Sequence, residues 1–114
     1  MKDKEIRRER FLREPLPIRL GGLAATLARI STSARNSTDP AIIVSLLDEA
    51  SHLIEWTASE TEPAIAAELV QMQRIISMWQ KSWNTASRIP QQRTLLAAQT
   101  KNWSDKVTMF SKMT

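Results

Sequence analysis

Apolar residues recur along this chain at spacings of three and four, the period of a helix that buries one face. Leu16, Leu20, Leu23, Leu27, Ile30 and Ala34 follow a 4-3-4-3-4 spacing and predict a first helix over about 17–35. Ile43, Leu46, Leu47, Ala50, Leu53, Ile54 and Thr57 mark a second, over about 40–59. The cleanest period belongs to the third, over about 63–86, with Ile65, Leu69, Met72, Ile76, Trp79, Trp83 and Ala86. A fourth, over about 90–112, carries the sparser set Leu96, Trp103, Val107 and Phe110.

The breaks between these runs have a chemical cause. In Asn36-Ser37-Thr38-Asp39-Pro40, the Asp is a good N-cap and the Pro suits the first helical position. Thr61-Glu62-Pro63 repeats that arrangement, and Ile89 before Pro90 resists helical geometry. The adjacent Gly21 and Gly22 weaken the first helix, so an irregular first turn is expected there.

Connections this short make sequential helices antiparallel neighbours. The expected fold is therefore all-α: an antiparallel up-down-up-down four-helix bundle over residues 15–114, preceded by a charged N-terminal arm or short helix over residues 1–14. Three helices with a loosely held fourth is the alternative, because the fourth stripe is the poorest. The seven-residue period also suits coiled-coil pairing between chains.

With 114 residues, 42% of them hydrophobic and 25% charged, the chain has the size and composition of one ordinary globular domain. The absence of Cys excludes disulfides and thiolate metal sites. Residues 1–14 are charged throughout, with no apolar segment like that of a secretory signal, and no stretch is apolar enough to cross a bilayer. A cytoplasmic location without membrane contact is the expectation.

The net charge of +4 is unevenly spread. Between Asn36 and Gln73 there are seven acids and no Lys or Arg. From Arg74 onward there are seven basic residues against Asp105 alone, and residues 1–35 hold nine basic residues against four acids. Basic and acidic helices satisfying one another across the bundle is the simpler reading, since surface charges are individually weak. A two-signed surface for a partner or a second copy is the sharper one.

No catalytic constellation stands out. Glu49-Ala50-Ser51-His52 has the Glu-x-x-His spacing of bundle metal sites, but His52 is the only His and such sites need two motifs. At about 100° per residue, Glu49 lies about 100° and His52 about 160° from the buried face centred on Ala50, so both are expected in solvent. No nucleophile turn accompanies His52 and Asp48. The expectation is no metal, no cofactor, no evident small-molecule ligand and no enzymatic activity.

Of the four Trp, Trp79, Trp83 and Trp103 fall on predicted core faces, whereas Trp56 lies about 120° off its helix's buried face. It either contacts the N-terminal segment or anchors an interface, as surface Trp often does. Ile42 and Glu49 share its flank, and Ile75 and Leu95 flank the later stripes. Ile42, Glu49, Trp56, Ile75 and Leu95 are the candidate protein interface. The leading functional expectation is a non-enzymatic protein–protein interaction or self-assembly module, a homodimer included. The alternative is a small basic nucleic-acid-associated protein using Arg7, Arg8, Arg10, Arg13, Arg93 and Lys101; four acids in the arm and the lack of any known nucleic-acid-binding pattern count against it.

Overall fold

The computed structural model describes residues 2–36 and 39–114. Every described element is helical: α1 (Lys2–Arg13), α2 (Leu16–Asn36), α3 (Pro40–Thr57), a 3₁₀ turn (Ala58–Glu60), α4 (Pro63–Ala86) and α5 (Pro90–Met113). Of the break expected after α2, Ser37 and Thr38 lie outside the described residues, as does Met1 of the arm.

The helix starts follow the local chemistry. Asp39 Oδ1 accepts the Ala41 amide at 3.0 Å, with Pro40 in the first turn. Pro63 and Pro90 occupy the same place in α4 and α5, and Ile89 is extended at φ −110°, ψ 110°. Gly21 and Gly22 lie inside a regular α2, so the irregular turn expected of them is absent. Their intrinsic cost, about 1 kcal/mol each, is offset by the buried Leu20 and Leu23 beside them.

Among the described residues there are five α-helices rather than four, because the arm is itself a helix. α1 has almost no apolar face, but Arg10 and Arg13 stand in its last turn, where the helix dipole favours them, while Asp3 and Glu5 in the first turn alternate with Lys2 and Lys4. It stops where Glu14 precedes Pro15.

The seven stripe residues of α4 are all buried, as are Leu20, Leu23, Leu27, Ile30 and Ala34 of α2 and Ile43, Leu47, Ala50 and Ile54 of α3. Leu96, Val107 and Phe110 of α5 complete this core, while Trp103 is half-buried against it.

α5 is the reverse of a loosely held helix. Its contact with α2 is the most extensive between any two helices here, and its contact with α4, its neighbour in sequence, is slight. The Ser31 hydroxyl donates to the Ala97 carbonyl at 2.7 Å, and the Ser104 hydroxyl to the Ala24 carbonyl at 2.8 Å, both buried. A serine can reach another helix's backbone only when the two axes lie close together. Small buried residues permit this: Ala24 and Ser31 on α2, Ala97, Thr100 and Ser104 on α5. Arg93 Nε also donates to the Ala34 carbonyl at 3.0 Å. These three contacts run in opposite order along the two helices, which are therefore antiparallel.

An ion pair between a buried arginine and an exposed glutamate ties the start of α2 to the 3₁₀ turn. Arg19, only 5% exposed, donates from Nη1 and Nη2 to the two oxygens of Glu60 at 2.8 and 2.9 Å. Its Nε donates to the Glu14 carbonyl at 3.0 Å, so the guanidinium holds the α1–α2 junction as well. The hydrogen bond from Arg19 holds the Glu60 carboxyl below the usual carboxylate range, and the bond to Glu60 raises Arg19 against the opposing effect of burial.

Candidate functional site

α1 lies across α2 and α3, and its attachment is local. Phe11 packs on Trp56 with ring centroids 6.0 Å apart, and a methyl group added at Gly22 would sit 3.8 Å from the Phe11 ring. Arg7 meets Glu49 at 2.9 Å, and Arg29 of α2 reaches the other oxygen of the same carboxylate at 3.4 Å. Glu49 thus joins three helices.

Beside this contact opens a cleft of about 460 Å³ lined by Asp3, Lys4, Arg7, Arg29, Asp48, Glu49, His52 and Trp56 among others. His52 stacks on Trp56, with centroids 5.7 Å apart and planes inclined by 14°. Its ring nitrogens lie 3.4 Å from Asp48 and 3.5 Å from Glu55.

Glu49 and His52 are consequently not solvent residues of the kind the helical wheel predicts. Their side chains keep only about a quarter of their exposure because α1 and Trp56 cover them. Trp56 does contact the N-terminal segment.

Chemically, the cleft offers ion pairs and an aromatic stack. The nearby Ser51 hydroxyl lies 3.4 Å from the Gln73 amide nitrogen, which also donates to the Ser51 carbonyl at 3.0 Å. Among the described residues, no group of three or more His, Asp or Glu is placed to hold a metal ion.

The five interface candidates lie on three helices. Ile42, Glu49 and Trp56 follow one another at seven-residue spacing on α3; α1 covers the latter two and leaves Ile42 exposed. Ile75 is half-buried against the core on α4, and Leu95 is exposed on α5. α4 and α5 meet where the Trp79 indole donates to Gln99 Oε1 at 2.7 Å and where Lys106 approaches Glu68 at 3.4 Å. Next to that seam on the outer surface of α5 are Leu95, 52% exposed, Met109, 62%, and Met113, 65%. Met78 of α4 is also exposed.

The basic candidates are dispersed. Arg8, Arg10 and Arg13 are exposed on α1, while Arg7 is paired with Glu49. Arg93 sits at the opposite helix junction, bound to the α2 carbonyl, and Lys101 pairs with Asp105 at 2.7 Å. Two further arginines outside that set, Arg35 and Arg88, line a cleft together with Arg93. Nothing in their local sequence marks them, because they come from different helix ends.

Among the described residues, no helix is long and apolar enough to cross a membrane. No protein-family model, curated protein or solved structure matches the chain.

Proposed function

We propose that this chain is a non-enzymatic self-association module whose helices α2–α5 form an up-down-up-down antiparallel bundle over residues 15–114, with α1 docked outside. The opposed order of contacts between α2 and α5, and the short connections, support the bundle topology. A cytoplasmic location fits a chain without Cys.

The observation that carries the function is the exposed stripe on α5. Leu95, Asn102 and Met109 recur at seven-residue spacing with Met113 beside them, the pattern of a helix–helix seam. The stripe is self-complementary. When two copies of α5 are laid antiparallel about Trp103, Leu95 of one copy meets Met109 and Met113 of the other, and Lys101 comes beside the other copy's Asp105. The charges now paired within one helix would pair equally well across a two-fold axis. A second copy is therefore favoured over an unrelated partner.

Light scattering coupled to gel filtration tests this reading. At several tens of micromolar, the wild-type chain should elute with twice the chain mass. The Leu95→Lys/Met109→Lys double variant should be monomeric with an unchanged helical spectrum, since both side chains are exposed. A monomeric wild type, or a double variant that still dimerises, would overturn the proposal.

A further inference from the structure

α1 is attached to the rest of the chain at a few points only. None of its described side chains is buried: Phe11 and Leu12 are half-buried, while residues 3–10 and Arg13 are exposed. Of the five α-helices it has the least extensive contact with its neighbours. It is held by the Phe11 ring on Trp56 and by the Arg7–Glu49 pair at 2.9 Å. Space remains beneath both of its ends. The cleft of about 460 Å³ reaches Asp3 and Lys4, and a second, of about 390 Å³, reaches Arg10, Phe11 and Glu14. Glu49, Leu53 and Trp56 line both.

Glu49 decides the electrostatics of this attachment. Its carboxylate stands between the Arg7 guanidinium of α1 and the Arg29 guanidinium of α2. With that charge present the two arginines are bridged; without it they repel. An isolated helix of 12 residues is marginal in water, and one with almost no apolar face has little else to keep it folded. Docking and helix formation are therefore coupled in α1. The junction behind it is anchored separately. Glu14 precedes Pro15, where a helix cannot run through, and Arg19 grips the Glu14 carbonyl while its other nitrogens stay on Glu60. Release of α1 can stop at that hinge. The core of α2–α5 is left whole, because α1 contributes no residue to it.

We propose that α1 is a hinged strap over the α2–α3 groove, which opens as a unit while the bundle stays folded and uncovers Trp56 and Leu53. Its opening is governed by the charge on Glu49 and by ionic strength. Arg7 keeps 66% of its side-chain exposure and Glu49 25%, so dissolved ions reach the pair and screen it. The strap neither uses the α5 stripe nor requires self-association.

Native-state amide exchange on the full chain, labelled with ¹⁵N and read residue by residue, tests this. At low salt the α1 amides should be protected, yet exchange about a hundredfold or more faster than the core amides of α2–α5. Raising sodium chloride from about 0.02 to about 0.5 M should speed exchange in α1 and leave α4 unchanged. Phe11→Ala, which removes the ring contact, should lower α1 protection about tenfold. Glu49→Gln should lower it in the same sense, and both variants should move the Trp56 indole resonance in the same direction. Equal protection in α1 and α4, or no protection in α1 at any salt, would overturn the proposal. So would exchange in α1 that ignores salt, unchanged α1 exchange in Glu49→Gln, or loss of protection throughout the bundle in Phe11→Ala.

Discussion

Replacing Ala97 by Leu should be among the most damaging single changes this protein can suffer, although it exchanges one apolar residue for another. Ala97 is fully buried where α2 and α5 approach closely enough for the Ser31 hydroxyl to reach its carbonyl at 2.7 Å. A leucine there must push the helices apart. Overpacking alone costs about 1–3 kcal/mol. Parting the helices also strains the buried bonds Ser31–Ala97 and Ser104–Ala24, each worth about 1 kcal/mol. The expected total, about 3–5 kcal/mol, is a large share of the roughly 5–15 kcal/mol that holds a domain of this size together. The control is next door: Ala98 is exposed, and Ala98→Leu should change stability by less than about 0.5 kcal/mol. Urea denaturation followed by far-UV circular dichroism, at concentrations low enough to keep the chain monomeric, measures both. An Ala97→Leu variant as stable as wild type, or an Ala98→Leu variant equally damaged, would refute the close α2–α5 packing.

Acidification should weaken the Arg19–Glu60 clamp: because Arg19 depresses the folded-state value of Glu60, the stabilisation it gives is fully present above the unfolded carboxylate value and is lost as pH falls through the lower, folded one. Melting temperature measured against pH should therefore fall more steeply in that acidic window for wild type than for Glu60→Gln, and parallel curves would contradict the coupling. Gly21 is helical and has nothing within 4 Å of where a methyl group would sit, so Gly21→Ala should stabilise by about 0.5–1 kcal/mol in urea denaturation; a loss of stability would mean that a neighbour packs there.

The sequence pattern predicted the four long helices to within about two residues at each end, because prolines and periodic leucines carry that information locally. It failed where tertiary partners decide. Ile18 is exposed and Arg19 buried, the reverse of their hydropathy, because Glu60 and the Glu14 carbonyl satisfy the guanidinium. α5 reads as a weak stripe because its best contacts use Ala97, Thr100 and Ser104, which a count of large apolar residues ignores. Glu49 and His52 read as solvent residues because no wheel drawn on α3 anticipates α1 lying over it. For α1 the sequence offers no apolar face, only acids alternating with Lys2 and Lys4 in the first turn and arginines in the last. Arg35, Arg88 and Arg93 are separated by up to 58 positions and line one cleft only through the fold.

The pairing of α2 with α5 has a consequence for how the chain folds. Its two buried serine bonds join residues 66 and 80 positions apart, so the most extensive contact between helices closes long loops. Loop-closure entropy makes such a contact slow to form, even though helices themselves form quickly. α2 and α3 together still present the face of α2 that only α5 covers. Partial assemblies therefore gain little until the last helix docks, which favours a cooperative, all-or-none transition over stepwise accretion from either end. By the same logic, a break in the chain between α4 and α5 would leave two fragments held by their most intimate interface, each completing the other.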